Sequence, residues 1–114
     1  MNKMNIHKIH GSEELRKILD SNEIVLLDFG AEWCGPCRSL KKRISEKETA
    51  ELMPKLVFCY LDVDEDDNED IARSFKVKGL PTQVFITSDM KELGRIEGFN
   101  FTKLYELYNT IFNQ

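Results

Sequence analysis

The sequence predicts an α/β fold in which a central mixed sheet, mostly parallel and ending in a C-terminal antiparallel hairpin, carries helices on both faces. Strand and helix patterns alternate along the 114 residues in the order β-α-β-α-β-α-β-β-α, which is typical of parallel strands joined by helical crossovers. Only a tight turn at Ser88 and Asp89 separates the last two strand patterns, so these strands are expected to pair antiparallel. The length predicts one domain, residues 1–114, because domains most often contain ~100–150 residues.

The chain begins with a weak strand pattern over residues 5–10. Ser12 is then a plausible N-cap for a helix over about 12–20, where apolar residues recur at helical spacing. Residues 23–30 form an apolar run that predicts a central strand buried on both faces, interrupted only by Asp28. A carboxylate in such a strand is costly unless it is paired or useful, so Asp28 is either a hydrogen-bonded structural residue or a functional one.

The middle of the chain predicts a helix, a turn and a second buried strand. The helix covers about residues 38–48, and its basic residues are expected on the outer face. Residues 49–53 predict a short separate turn closed by Pro54, and residues 56–63 predict the strand. The basic residues of the helix are Lys41, Lys42 and Arg43.

The remaining elements follow an acidic loop over residues 62–70, in which Asp67 or Asn68 is expected to cap a helix. Three aspartates of this loop alternate as in a calcium loop. Asp67 stands where that motif needs Gly and Arg73 where it needs Glu, so a solvated loop is predicted. Strand patterns over residues 82–87 and 93–96 and a final helix capped by Asn100 or Thr102 complete the chain.

Composition excludes several classes of function. Sixteen basic and 20 acidic residues give a net charge of −4, which argues against a nucleic-acid partner. Apolar runs are far shorter than the ~18–20 residues of a membrane helix, so no transmembrane segment is expected. Residues 1–5 lead into polar sequence with no apolar segment, so no secretory signal is expected.

The candidate chemistry lies at Cys34 and Cys37, which are separated by Gly35 and Pro36. This pair follows the central strand and opens a helix, where unpaired N–H groups and the helix dipole stabilise a thiolate. Cys34 is therefore the predicted nucleophile, and Cys37, one turn inward, is the predicted resolving thiol. Pro36 fits the first helical turn, where its missing N–H is not required.

Two other uses of the pair are disfavoured. A zinc site needs two further ligands, and His7, His10 and Cys59 form no second closely spaced pair. A structural disulfide across four residues closes too short a loop to stabilise much. Cys59 lies within a predicted buried strand, where it is expected to act as a small apolar residue rather than as a regulatory thiol.

Two segments resemble the thioredoxin family. Residues 28–37 (Asp-Phe-Gly-Ala-Glu-Trp-Cys-Gly-Pro-Cys) resemble its active-site segment, and residues 78–82 (Lys-Gly-Leu-Pro-Thr) resemble its cis-proline loop. Their separation and the late Gly98 also fit, so the resemblance covers essentially the whole chain and implies the thioredoxin-like fold. The Gly-Pro between the cysteines is similar to thioredoxins, whereas disulfide isomerases carry Gly-His and glutaredoxins usually Pro-Tyr.

The resemblance implies roles for individual residues. Cys34 and Cys37 would form the redox-active disulfide, and Asp28 would assist proton transfer beneath Cys37. Trp33 would contact partners, a packed core Trp being the alternative, and Pro81 would follow a cis bond rather than an ordinary trans one. The flat apolar docking patch would consist of Gly35, Pro36, Leu80, Pro81 and Gly98.

The chain departs from the family at three positions. Thioredoxins commonly have a Trp where this chain has Gly30, a Pro where it has Lys42 and a buried Lys where it has Tyr60. Gly30 is expected to open space beside the motif. Loss of the buried Lys removes a cation near Asp28. A hydrogen bond from the Tyr60 hydroxyl would lower the pKa of Asp28, but the effect of burial is expected to be larger and to raise it.

The predicted function is that of a general cytoplasmic protein disulfide reductase, active as a monomer and needing no cofactor or metal. Its implied partners are disulfide-containing proteins and a separate electron-donating reductase, with no nucleic acid and no membrane. Two alternatives stay open: a reductase dedicated to one partner or one envelope pathway, and a redox-inactive interaction subunit of the same fold.

Overall fold

The computed structural model describes residues 5–113. Residues 1–4, which contribute to the expectation of no secretory signal, lie outside the described residues, as does Gln114. None of the described helices is long and apolar enough to cross a membrane.

The described strands are β1 (Ile6–Lys8), β2 (Ile24–Gly30), β3 (Phe58–Asp62), β4 (Thr82–Thr87) and β5 (Glu92–Glu97). The described helices are α1 (Ser12–Asp20), α2 (Gly35–Ile44), α3 (Lys47–Leu52), α4 (Asp66–Ser74) and α5 (Phe101–Phe112).

The five strands form one mixed sheet in the order β1-β3-β2-β4-β5. Strand β3 pairs in parallel with both β1 and β2, and β5 pairs antiparallel with β4. The predicted mixed sheet with its C-terminal hairpin is therefore confirmed. Strand β4 also runs antiparallel to β2, a second antiparallel pair that the alternation of strands and helices did not predict.

Helices cover both faces of the sheet, and each face has its own apolar cluster. On one face α1 and α4 pack against the side chains of Leu27 and Phe29. On the other face α2, α3 and α5 pack against Leu26 and its neighbours on β3 and β4. Consecutive β2 side chains point to opposite faces, so burial on both explains why this segment reads as a continuous apolar run.

Several helix ends differ from the predicted ones. The N-cap of α1 is Gly11 rather than Ser12, and its φ of 91° lies in the left-handed region that favours glycine. Helix α2 covers Gly35–Ile44 rather than residues 38–48, and the segment after it, whose residues 49–53 were predicted as a turn, forms the separate helix α3 over Lys47–Leu52. The expected cap at Asn100 is confirmed, since its side chain accepts a hydrogen bond from the N–H of Lys103.

Asn68 does not cap α4, whose N-cap is Glu65. Its buried side chain instead links three backbone segments. The side-chain oxygen accepts the N–H of Gly11 at 2.9 Å, and the side-chain nitrogen donates to the carbonyls of Ile9 at 2.9 Å and Asp62 at 3.2 Å. Asn68 therefore holds the start of α1 to the end of β3.

This link predicts a large cost for Asn68→Ala. We expect the free energy of unfolding to fall by about 1.5–4.5 kcal/mol, because three backbone groups lose hydrogen bonds that are each worth a net ~0.5–1.5 kcal/mol. Asp67→Ala, at the exposed neighbouring position, is the matched control and should cost less than about 1 kcal/mol. Urea unfolding of the two variants measures the difference, and equal costs would contradict the linking role.

Candidate functional site

The two cysteines lie at the N-terminus of α2, just beyond the C-terminal end of β2. Cys34 is the N-cap of this helix and Cys37 lies in its first turn, with Pro36 between them at a position where no N–H is needed. A disulfide joins the two residues, whose Cα atoms are 5.2 Å apart. The N–H of Cys37 also donates to the Cys34 sulfur at 3.3 Å. The predicted position of the pair at a strand-to-helix junction is thus confirmed.

The two sulfurs occupy different environments. Cys34 retains 6% of its surface, whereas Cys37 has none. The first turn of α2 contains no acidic residue, so no like charge there opposes the formation of a thiolate at Cys34. Helix N-termini stabilise thiolates. The geometry therefore permits attack by Cys34 and shields Cys37.

An exposed surface surrounds the disulfide. Trp33 is 69% exposed, so it is not a core residue, and its indole N–H donates to Asp64 at 2.9 Å. The Leu80–Pro81 peptide bond is cis, as the resemblance implies. Gly98 lies beside it, with its N–H donating to the Pro81 carbonyl at 2.7 Å. Leu80 packs against the small apolar cluster that contains both cysteines, while Gly35 and Pro36 lie on the helix that carries the pair.

Asp28 is fully buried on β2. Neither of its carboxylate oxygens has a hydrogen-bond partner within bonding distance among the described residues, and the side-chain nitrogen of Gln83 donates to the Gly98 carbonyl. Burial raises the pKa of Asp28 to about 8, and the charge of Lys41 opposes this increase. The structural alternative, a carboxylate held by hydrogen bonds, is not what the structure shows.

Gly30 and Tyr60 fit each other at the end of β2. A Cβ atom at Gly30 would lie 3.0 Å from Cε1 of Tyr60 and 3.3 Å from the Cys37 sulfur. The space expected beside the motif is therefore filled by the Tyr60 ring, which is 3% exposed. The Tyr60 hydroxyl makes no hydrogen bond to Asp28, although the two residues are register partners on β3 and β2.

Lys41 is the site residue that the sequence did not reveal. Helical spacing placed it on the outer face of α2, but its side chain is only 19% exposed. The ammonium lies 3.9 Å from the centroid of the Tyr60 ring and 3.2 Å from a carboxylate oxygen of Glu32. The one signal in the sequence was its position four residues after Cys37, which puts both side chains on one side of the helix.

The other cysteine takes no part in this site, and the acidic loop contributes Asp64, the acceptor of the Trp33 indole N–H. Cys59 is free and fully buried on β3, and burial raises the pKa of its thiol to about 12. Within residues 5–113 no group of three or more His, Cys, Asp or Glu side chains is arranged to hold a metal ion.

Comparisons with known proteins agree with this geometry. The family model described as thioredoxin matches residues 6–111. The chain is 34% identical over 111 residues to thioredoxin of Oryctolagus cuniculus, covering 93% of this chain and 98% of that protein. It is 33% identical over 105 residues to thioredoxin-2 of Pyricularia oryzae, covering 92% of this chain but only 58% of that longer relative.

Solved structures give the same result. Fasciola hepatica thioredoxin superposes with a TM-score of 0.78 at 34% identity, covering 91% of this chain and 97% of the other. A poplar thioredoxin h superposes with a TM-score of 0.83 at 30% identity, covering 96% and 98%.

The raised pKa of Asp28 predicts how stability depends on pH. Between pH ~4 and pH ~8 the folded protein keeps a proton that the unfolded chain has released, so stability falls as pH rises through this range. Asp28→Asn removes the dependence, and at pH 8 the variant should exceed the native protein in unfolding free energy by about 2–5 kcal/mol. Urea unfolding of the oxidised native protein and the oxidised variant from pH 4 to pH 9 tests this. If the free energies of unfolding of the two proteins change with pH in the same way, the prediction is wrong.

Proposed function

Because this chain belongs to the thioredoxin family, and is therefore a thiol–disulfide oxidoreductase, we propose that it serves as a general protein disulfide reductase. The observation that carries the proposal is the Cys34–Cys37 disulfide at the N-terminus of α2. It lies beside the exposed Trp33 and the loop around Pro81, where a protein substrate has room to approach.

The reaction proceeds through two exchanges. The Cys34 thiolate attacks one sulfur of a substrate disulfide, which forms a mixed disulfide and releases the other substrate sulfur as a thiolate. Cys37 then loses its proton and attacks the Cys34 sulfur, forming the Cys34–Cys37 disulfide and releasing the second substrate thiolate. Two electrons have passed to the substrate, and a separate reductase restores the dithiol.

We assign Asp28 the role of accepting the proton from Cys37, directly or through water. Asp28 and Gly30 point to the same face of β2, and a Cβ at Gly30 would touch the Cys37 sulfur. With its pKa raised to about 8, Asp28 exchanges protons in the range where thiols ionise. A carboxyl group with an ordinary pKa near 4 would be a much weaker base.

The docking surface is the patch formed by Trp33 and the predicted substrate-binding residues. The main support is a groove of about 310 Å³ that extends from Leu80 between the β3–α4 loop and the loop before β4. Leu80 and Val63 form its apolar end beside the cysteine cluster, and the remainder is mixed, with charged side chains alongside Ala72 and Val77. An extended substrate segment could lie there with its disulfide over Cys34. The patch comprises Trp33, Gly35, Pro36, Leu80, Pro81 and Gly98.

We also propose that the protein acts in the cytoplasm as a monomer. Its one disulfide is the reactive pair, and Cys59 is unpaired, as suits a compartment in which structural disulfides are rare. Cell fractionation and light scattering measure these two properties. A reductase dedicated to one partner remains an alternative, because the departures at Gly30 and Tyr60 lie beside the cysteines, where they affect the choice of partner.

The different burial of the two sulfurs predicts their order of alkylation. In the reduced protein near pH 7, a short exposure to iodoacetamide should label Cys34 several-fold faster than Cys37, because Cys34 caps the helix N-terminus and retains some exposure whereas Cys37 retains none. Cys59 should remain unlabelled until the protein unfolds. Peptide mapping by mass spectrometry gives the order, and preferential labelling of Cys37 would refute the assignment of the nucleophile.

Insulin reduction with dithiothreitol distinguishes the candidate functions. Robust turnover supports a general reductase, and weak turnover supports a dedicated one. An absence of turnover supports a redox-inactive subunit. Cys34→Ser should abolish turnover, because it removes the nucleophile, whereas Cys59→Ala should retain it as the matched control.

Cys37→Ser should accumulate mixed disulfides on Cys34, because no second thiol is available to resolve them. Non-reducing gels with mass spectrometry would identify the trapped partners.

A further inference from the structure

Lys41 is held on the inner side of α2 by two contacts. The flat face of the Tyr60 ring lies below its ammonium at 3.9 Å, and Glu32 binds the ammonium at 3.2 Å. The bond to Lys41 also holds the pKa of Glu32 below its usual value. Lys42, the next residue, is exposed. The two lysines therefore have the same charge and nearly the same chain position, but only Lys41 is directed toward the sheet.

The contact with Tyr60 brings this charge close to Asp28. Tyr60 and Asp28 are register partners on adjacent parallel strands, so their side chains share the face of the sheet that α2 covers. Asp28 has no hydrogen-bond partner among the described residues. The charge of Lys41 thus acts on it through an apolar, weakly screening environment rather than through a direct bond.

The other polar groups that face Asp28 do not carry a positive charge. Cys37 from α2 is uncharged in the disulfide, and the hydroxyl of Tyr60 from β3 is neutral. Gln83 from β4 is neutral, and its side-chain amide favours the ionised carboxylate without adding a charge. Glu32 and Asp62 are acidic and act on the neighbouring Tyr60 hydroxyl, so neither supplies a positive charge to the site.

We propose that Lys41 is a positioning residue for the proton-transfer step. Its ammonium, which packs on the Tyr60 ring and pairs with Glu32, stabilises the ionised, proton-accepting form of Asp28. The inference rests on the proposed role of Asp28 as the base. Without the ammonium, Asp28 would hold its proton to higher pH, and less of the base would be available at neutral pH. The pairing of Lys41 with Glu32 has a purely structural alternative, a surface ion pair worth little to stability.

The decisive measurement is a direct titration of the Asp28 carboxyl by carbon-detected NMR in the oxidised protein, where neither Cys34 nor Cys37 titrates. Lys41→Gln should raise the pKa of Asp28 by ~0.5–1 unit. This is less than the ~1–3 units of a directly paired carboxylate, because Lys41 is bonded to Glu32 and not to Asp28. Lys41→Arg keeps the charge and should remain close to the native value.

Two further variants separate the ammonium from other causes. Lys42→Gln removes the same charge at the exposed position and should leave the pKa of Asp28 unchanged. Tyr60→Phe keeps the aromatic ring on which the Lys41 ammonium packs, so the pKa of Asp28 should stay close to its native value. An unchanged pKa in Lys41→Gln, or an equal rise in Lys42→Gln or Tyr60→Phe, would overturn the inference.

The kinetic readout is the pH profile of mixed-disulfide resolution in the reduced protein. Its acidic limb should move to higher pH in Lys41→Gln and stay in place in Lys41→Arg, whereas a purely structural role would leave its position unchanged in both. Asp28→Asn tests the base itself. If Asp28→Asn keeps the native limb, the proposed role of Asp28 fails, while the NMR titration still decides whether Lys41 controls its ionisation.

Discussion

Strand β2 is hydrogen-bonded along both edges, to β3 and β4, and helices cover both of its faces. The side chains from Val25 to Phe29 are therefore removed from water. This burial organises the two apolar clusters and fixes the point at which β2 ends, at Gly30. Helix α2 starts five residues later, so its N-terminus and the cysteine pair lie at the carboxyl end of the central strand of the sheet.

The same burial determines the acid–base chemistry of the site. A carboxyl group on an edge strand would be hydrated and would have an ordinary pKa, but Asp28 is enclosed without a hydrogen-bond partner among the described residues. Its neutral form is therefore stabilised in the folded protein. Stability and reactivity are linked here, because the ionised carboxylate that can accept a proton from Cys37 is also the form that the fold accommodates least well.

Two of the departures from the family, Gly30 and Tyr60, form a connected group with Lys41 rather than separate changes. Gly30 leaves the space that the Tyr60 ring fills, and the ring provides the face on which the Lys41 ammonium rests. Each of the three depends on another through a direct contact. A larger residue at position 30 would displace the ring, and loss of the ring would release Lys41 from its seat near Asp28.

The sequence by itself determined the order of the elements except for the short helix α3, the strand-to-helix position of Cys34 and Cys37, and the burial of Asp28, because apolar periodicity, turn residues and the motif are local in the chain. Only the tertiary structure decided the antiparallel direction of β4, the linking role of Asn68 and the inward direction of Lys41. Asn68 and Lys41 depend on contacts with residues distant in sequence, such as Gly11 and Tyr60. Helical spacing cannot identify these contacts, because it shows only which side of a helix a residue occupies. It does not show which polar group from another element packs against that side.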